Sequence, residues 1–183
     1  MNWTGHLAGS RNEMESALDV LVREVKPDDA EDIVHILNPI IRSGKYSALD
    51  RELTPEQEKS YIVAFPRRGT FFVIQTRPDG PILGFQSVEP FAEYTRAFDH
   101  VGVIGTYIDL GQRGKGLGKR LAQVTFQALK KRSFEKLFTY VRADNVESLA
   151  FHLALGFNIV GTAFRHAKLG SDYLDEVIME KFL

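Results

Sequence analysis

The 183-residue chain has no cysteine. That absence excludes disulfides, thiolate metal sites and a cysteine nucleophile, and it suits a reducing cytoplasm. The chain also lacks any apolar run near the roughly 18 residues of a membrane span. Its longest apolar stretches are strand-sized, so no membrane partner is expected. The first nineteen residues, MNWTGHLAGSRNEMESALD, carry neither a basic leader nor the apolar run of a secretory signal. They read as a loose tail, with a helical turn near Met14 to Leu18. Charge of one sign is missing too: 23 basic against 24 acidic residues leave a formal net charge of -1. No general attraction to nucleic acid or anionic membrane follows from that balance. There is no internal repeat and no low-complexity linker.

What is present is an ordinary globular composition, 44% hydrophobic and 26% charged, with length for one domain, residues 20–183. A short strand, Val20 to Val25, ends at Pro27, after which Asp28 or Asp29 can cap an amphipathic helix carrying Ile33, Ile36, Leu37, Ile40 and Ile41. Pro39 implies a kink or break in that helix. A second helix starts at Thr54, with Pro55 in its first turn and Glu56 to Glu58 at the positive end of its dipole. Thr70 to Gln75 and Pro81 to Val88 form an antiparallel hairpin around Pro78, Asp79 and Gly80. Val101 to Leu110 is a strand that runs into GQRGKGLGKR. From there Leu117, Leu121, Val124, Ala128 and Leu129 mark a helix ending at Lys130, Lys131 and Arg132, a solvated basic end. Leu137 to Val141 returns parallel to the preceding strand. Ser148 to Leu155 is a short helix with Asn145 as N-cap and Gly156 as stop. Two final strands, Phe157 to His166 and Tyr173 to Phe182, flank a turn.

The glycines Gly114, Gly116 and Gly118 let backbone N–H groups converge at a helix N-terminus, which suits a phosphate. Arg113, Lys115, Lys119 and Arg120 add positive charge around it. Two nucleotide loops fail against these residues. The triphosphate loop needs Ser or Thr after Gly-Lys, and Arg120 stands there; the dinucleotide fingerprint needs GxGxxG, and the spacing here is GxGxG. Arg113-x-x-Gly116-x-Gly118 instead resembles the R/Q-x-x-G-x-G/A pyrophosphate signature of the GNAT acetyltransferases. A second motif of that family, on the strand and helix that follow, is matched by Asn145, Ser148, Phe151, His152, Leu155, Gly156 and Phe157. Within the superfamily the chain is most similar to the phosphinothricin and methionine sulfoximine acetyltransferase branch. Ala97, Asp99, Tyr107, Phe134 and Asn145 coincide with branch residues, and His152 is also what the branch carries.

The resemblance implies an α/β fold with a mixed, largely antiparallel twisted sheet flanked by helices. Its central strands, Val101 to Leu110 and Leu137 to Val141, would be splayed to admit coenzyme. It implies acetyl-CoA as co-substrate, with Thr106, Tyr107 and Ile108 lining the thioester through their backbone. Arg113, Gly114, Lys115, Gly116, Leu117, Gly118 and Lys119 would hold the pyrophosphate. Asn145 would contact the pantetheine arm, with Ser148 beside it in the same motif. A homodimer is implied as well, and no metal is needed. The reaction is acetyl transfer to a primary amine, on an amino acid or a similar small molecule, by direct attack without an acyl-enzyme. A protein N-terminus or lysine is the enzymatic alternative, and a non-catalytic acyl-CoA sensor is the other.

An alkylammonium has a pKa of about 10, so a proton must be removed before attack. N–H groups near Tyr107 and Ile108 are candidates for stabilising the oxyanion. His152 is the candidate acid for the leaving thiolate, or else a hydrogen-bonded core histidine. The branch has a glutamate four residues before the strand tyrosine, and this chain has Val103 there. Glu89, Asp109 and His100 lie near strand ends and remain alternative bases or solvated loop residues. Phe71, Phe72, Phe85 and Phe91 read as core, with Phe91 a possible lining residue of an acceptor site.

Overall fold

The computed structural model describes residues 19–77 and 79–183. The expected tail and its helical turn therefore lie outside the described residues, apart from Asp19, as does Pro78 in the hairpin turn. Seven strands and four helices follow in chain order among the described residues: β1 Val20–Glu24, α1 Ala30–Ser43, α2 Pro55–Ala64, β2 Thr70–Thr76, β3 Ile82–Pro90, β4 Val101–Ile108, α3 Leu117–Lys131, β5 Lys136–Arg142, α4 Val146–Ala154, β6 Asn158–Leu169 and β7 Asp172–Phe182. The strands form one sheet in the order β1-β2-β3-β4-β5-β7-β6. Only β4 and β5 run parallel, because the α3 crossover joins them.

Helices cover both faces of the sheet. On one, Ile33, Ile36, Leu37 and Ile40 of α1 and Ile62 of α2 pack on Phe71, Val73 and Phe85. On the other, Leu117 and Leu121 of α3 meet Phe72, Ile74 and Leu83. A third cluster joins Leu129 of α3 to Phe134, Leu137, Phe157 and Met179. α1 runs unbroken through Pro39, contrary to the expected break. Proline costs a helix about 3 kcal/mol, while burying Ile36, Leu37, Ile40 and Ile41 stabilises it by about 1.5–3 kcal/mol for each side chain, so packing wins.

Local chemistry explains the other ends. Thr54 caps α2 reciprocally: its Oγ1 accepts from Gln57 N at 3.3 Å, and Gln57 Oε1 accepts from Thr54 N at 2.9 Å. Asp29 precedes α1 without capping it through its side chain. Its carboxylate instead accepts two 2.7 Å bonds from Arg23 and one of 2.6 Å from Lys26 N. β4 stops at Ile108, short of the expected Leu110, since Asp109 caps a single helical turn by accepting from Gly111 N at 2.9 Å. Arg132 does more than end α3 in solvent: it donates to the Gly69 carbonyl and lies 3.3 Å from Glu24 of β1.

β4 and β5 share just three residue pairs, Val101 with Lys136, Gly102 with Leu137 and Val103 with Phe138. At the next step Thr139 Oγ1 donates to the Ile104 carbonyl at 3.0 Å. A side chain thus replaces the ladder where the strands part, and a V-shaped gap opens beyond.

Candidate active site

Strand alternation decides which backbone groups face this gap. In a strand the N–H and C=O of one residue point to the same side, and successive residues alternate. Ile104 O points to β5, as shown by its Thr139 bond, whereas Asp109 N bonds the Leu83 carbonyl on the β3 side. The N–H and C=O of Thr106 and Ile108 therefore face the gap. Those of Tyr107 are directed to Phe85 on β3, its partner across the pair. This refines the sequence expectation: on this strand the N–H groups that face the gap are those of Thr106 and Ile108, and the Tyr107 N–H is directed to β3. The Tyr107 ring lies on the α1–α2 face, stacked on Phe85 at 4.9 Å between centroids.

The glycine loop opens onto one end of the gap. Gly114 and Gly116 have φ of +76° and +74°, a left-handed backbone that side chains other than glycine resist. A Cβ placed on either would meet no atom within 4 Å, so the loop surface is open to a ligand. Arg120 N makes the first bond of α3, to the Gly116 carbonyl at 3.1 Å. The N–H groups of Leu117, Gly118 and Lys119 are left without intrahelical partners, at the positive end of the dipole. Gly118 is small for a second reason, since a Cβ there would lie 2.8 Å from the Phe151 ring. Arg113 stacks 3.9 Å over the Tyr46 ring and lies 3.8 Å from Glu147. Lys119 and Arg113 line the 510 Å³ cavity beside the loop. Lys115 does not; its ammonium bonds Gln112 at 2.8 Å.

The second motif builds the opposite wall. Asn145 caps α4, its Oδ1 accepting from Ser148 N at 3.1 Å while its Nδ2 donates to the Tyr46 carbonyl at 3.2 Å. It therefore also holds the α1–α2 loop over the gap. His152 is 5% exposed. Its Nδ1 lies 2.8 Å from the Ser148 carbonyl, which can only accept, so Nδ1 carries the proton. Its Nε2 is buried with no partner among the described residues. Burial holds the imidazole below its ordinary value, against a smaller opposing effect of the Ser148 bond. A neutral ring in this tautomer presents an acceptor at Nε2 and has no proton there to give. The expected role of acid is thus at odds with the resting geometry.

A larger cavity of about 720 Å³ occupies the α1–α2 side of the fork. It meets the loop cavity at Tyr46, Thr106, Asn145, Ser148 and His152, which line both. Val103 lines the larger one, and directly across the β3–β4 pair stands Glu89. The carboxylate missing at position 103 is thus present one strand over, and Tyr61 of α2 donates to it at 2.5 Å. Of the other proposed bases, Asp109 is occupied in its cap, and neither it nor His100 lines the cavity. Phe91 packs on Phe98 and Phe138 outside it, whereas Phe71 and Phe85 are buried and also form part of its wall.

Sequence reading missed Glu58. Its side chain is on the cavity wall, 4% exposed, with no hydrogen bond or ion pair to it among the described residues. Burial pushes its carboxyl up to about 7. The Tyr61 phenol is raised by burial first, then by its bond to Glu89 and the charges of Glu89 and Glu58. That of Tyr107 is raised by burial and by Glu58. The available signal was spacing: Glu58 stands four residues before buried Ile62, on the same helical stripe.

Comparison with known proteins agrees with this geometry. Residues 31–157 match the model of the Acetyltransferase (GNAT) family. An L-methionine sulfoximine/L-methionine sulfone acetyltransferase of Pseudomonas paraeruginosa is 24% identical over 87% of this chain and 92% of its own. A phosphinothricin N-acetyltransferase of Streptomyces coelicolor is 23% identical over 81% and 88%. Among solved structures, a phosphinothricin acetyltransferase from Sinorhizobium meliloti in complex with AcCoA superposes with a TM-score of 0.81 at 19% identity, covering 90% of this chain and 88% of that one. A ribosomal-protein-alanine N-acetyltransferase from Brucella melitensis reaches 0.81 at 22%, covering 89% and 99%. Neighbours this distant speak for the fold and leave the acceptor open. The family match spans most of the chain, and the β4–β5 fork, glycine loop and capped α4 lie within it: the chain belongs to the acetyltransferase (GNAT) family.

Proposed function

We propose that the protein transfers an acetyl group from acetyl-CoA to a primary amine of a small molecule, by direct attack. The observation that carries this reading is the pair of cavities meeting at the β4–β5 fork, one served by a helix N-terminus and the other lined by carboxyls, of which Glu58 is buried. Acetyl-CoA would supply an activated carbonyl carbon and a thiolate leaving group. The loop residues Gly114 to Lys119 and Arg113 would hold its phosphates, and Asn145 and Ser148 would border its arm.

The remaining work falls to this chain. N–H groups of Thr106 and Ile108 face the gap as donors to a developing oxyanion. As the C–N bond forms and the C–S bond breaks, the ammonium gives up two protons. The first goes to a carboxylate of the acceptor cavity before attack, and one of the two ends on the departing thiolate. Glu58, at about 7, closes roughly half the gap between an ordinary carboxylate and an alkylammonium near 10. Nε2 of His152 serves as an acceptor at the junction, orienting the reacting group or relaying its proton.

The relatives' names suggest an amino acid or similar compound as acceptor. The family resemblance further suggests a cytoplasmic homodimer; among the described residues no helix is long and apolar enough to cross a membrane. Release of coenzyme thiol from acetyl-CoA in the presence of an amine panel tests the reaction, and light scattering on the same sample tests the dimer. Amine-dependent release from a particle of twice 20.7 kDa is expected. Tight acetyl-CoA binding without release by any amine or peptide would leave a sensor, and a monomer's mass would refute the pairing.

A further inference from the structure

The acceptor cavity has a strong bias of charge. Three carboxyls line it, Glu58 from α2, Glu89 from β3 and Glu176 from β7. Among the described residues Arg142 is the one lysine or arginine on its wall, and that guanidinium is committed. It donates to Asp144 at 2.9 and 2.7 Å, to the Gly44 carbonyl at 2.7 Å and to the Ser47 carbonyl at 3.2 Å. It ties the α1–α2 loop down, and among the described residues no free lysine or arginine remains on the wall to receive the carboxylate or phosphinate of an amino-acid-like acceptor. His152 cannot substitute, being neutral with an acceptor facing the junction.

Acidic side chains alone would not make a site. Glu58 supplies the independent observation, because a residue more than nine-tenths buried, whose carboxyl has no hydrogen bond or ion pair among the described residues, carries a desolvation cost that an arriving ammonium would relieve. Tyr61 connects it to Glu89: it follows Glu58 by one helical turn and donates to the Glu89 carboxylate. The same wall carries the apolar side chains of Leu37, Leu53, Phe71, Phe85 and Val103, the lining that a methylene chain fills.

We infer that the acceptor is a diamine or polyamine without a carboxylate, with Glu58 receiving the ammonium that is acetylated and Glu89, backed by Tyr61, holding a distal one. Glu58 has the first role because it is buried on the cavity wall and has no hydrogen bond among the described residues, whereas Glu89 already accepts from Tyr61. Glu89 pairs with Val103, three residues before Thr106 on β4. The inference rests on the acetyltransferase reading and replaces the amino-acid expectation with a narrower class.

The test compares kcat/KM by thiol release for matched probes: cadaverine against lysine, putrescine against ornithine, spermidine, pentylamine as a monoamine, and phosphinothricin. Each diamine should exceed its carboxylated counterpart by tenfold or more, with phosphinothricin at the bottom. Glu89→Gln should lower the ratio of kcat/KM for cadaverine to that for pentylamine at least tenfold. Glu58→Gln should lower kcat for both amines. Acetyl-CoA affinity, measured by calorimetry, should be unchanged in each variant, which also shows that each is folded. Lysine or phosphinothricin turned over as well as the diamines, or no diamine turned over while acetyl-CoA binds, would overturn the inference. Failure of the unmodified protein to bind acetyl-CoA would instead overturn the acetyltransferase reading beneath it.

Discussion

His152 shows how far a residue's chemistry can be read before its neighbours are known. Its place in the α4 motif was legible from Asn145 and the Leu155-Gly156-Phe157 end, but its tautomer was not, because that depends on the Ser148 carbonyl one turn earlier. With Nδ1 holding the proton, His152→Phe removes an acceptor from the junction and keeps most of the ring's packing against Phe151 and Phe157. kcat should fall by about 10²-fold with acetyl-CoA affinity nearly unchanged. The acidic limb of the pH–rate profile should stay near 7, where Glu58 titrates among Tyr61, Tyr107, Glu89, Arg142, Glu176 and His152. Normal kcat in the variant would return His152 to a purely structural role. Glu58 itself was hidden, since three acidic or amide residues after Thr54-Pro55 read as solvated partners of a helix dipole; tertiary contact with the β2–β4 face is what buries one of them.

Among the elements, most boundaries were legible because they rest on local chemistry. Thr54 with Gln57, Asn145 with Ser148, and Gly116 at the head of α3 are each set by residues within one turn. Where the sequence misled, a longer-range term had won. α1 passes through Pro39 because its apolar stripe is held by the sheet, and β4 ends early because Asp109 prefers its own turn. The division of labour along β4 was also not visible in sequence. It follows from the point at which pairing to β5 stops, and only this assigns the free N–H groups to Thr106 and Ile108. Val103 is the instructive case: its apolar character suggested a lost base, yet antiparallel pairing puts Glu89 opposite it, a relation set by the register of β3 on β4 and not legible from the order of residues.

For the molecule as a whole, a buried unpartnered carboxyl exchanges stability for function, and this can be measured. The fold raises Glu58 from its ordinary 4.5 to about 7, so it favours the protonated form. That contribution is fully present below about 4.5 and is lost as pH rises through about 7. Thermal unfolding between pH 5 and 8 should therefore show a decline that Glu58→Gln removes. At pH 8 the variant should be the more stable by about 1–2 kcal/mol, after discounting for water in the open cavity. A variant that follows the parent curve across this window would show Glu58 to be ordinary.

Binding of the phosphates of acetyl-CoA by the glycine loop at the head of α3 is tested by calorimetric titration of acetyl-CoA into the parent protein and Gly116→Val. The left-handed backbone at Gly116, with φ of +74°, is strained for a β-branched residue, and the side chain would fill the surface that the ligand needs. The parent should bind, and the variant should lose acetyl-CoA binding while retaining the parent's far-ultraviolet circular dichroism. Equal affinity in the two proteins would contradict the claim.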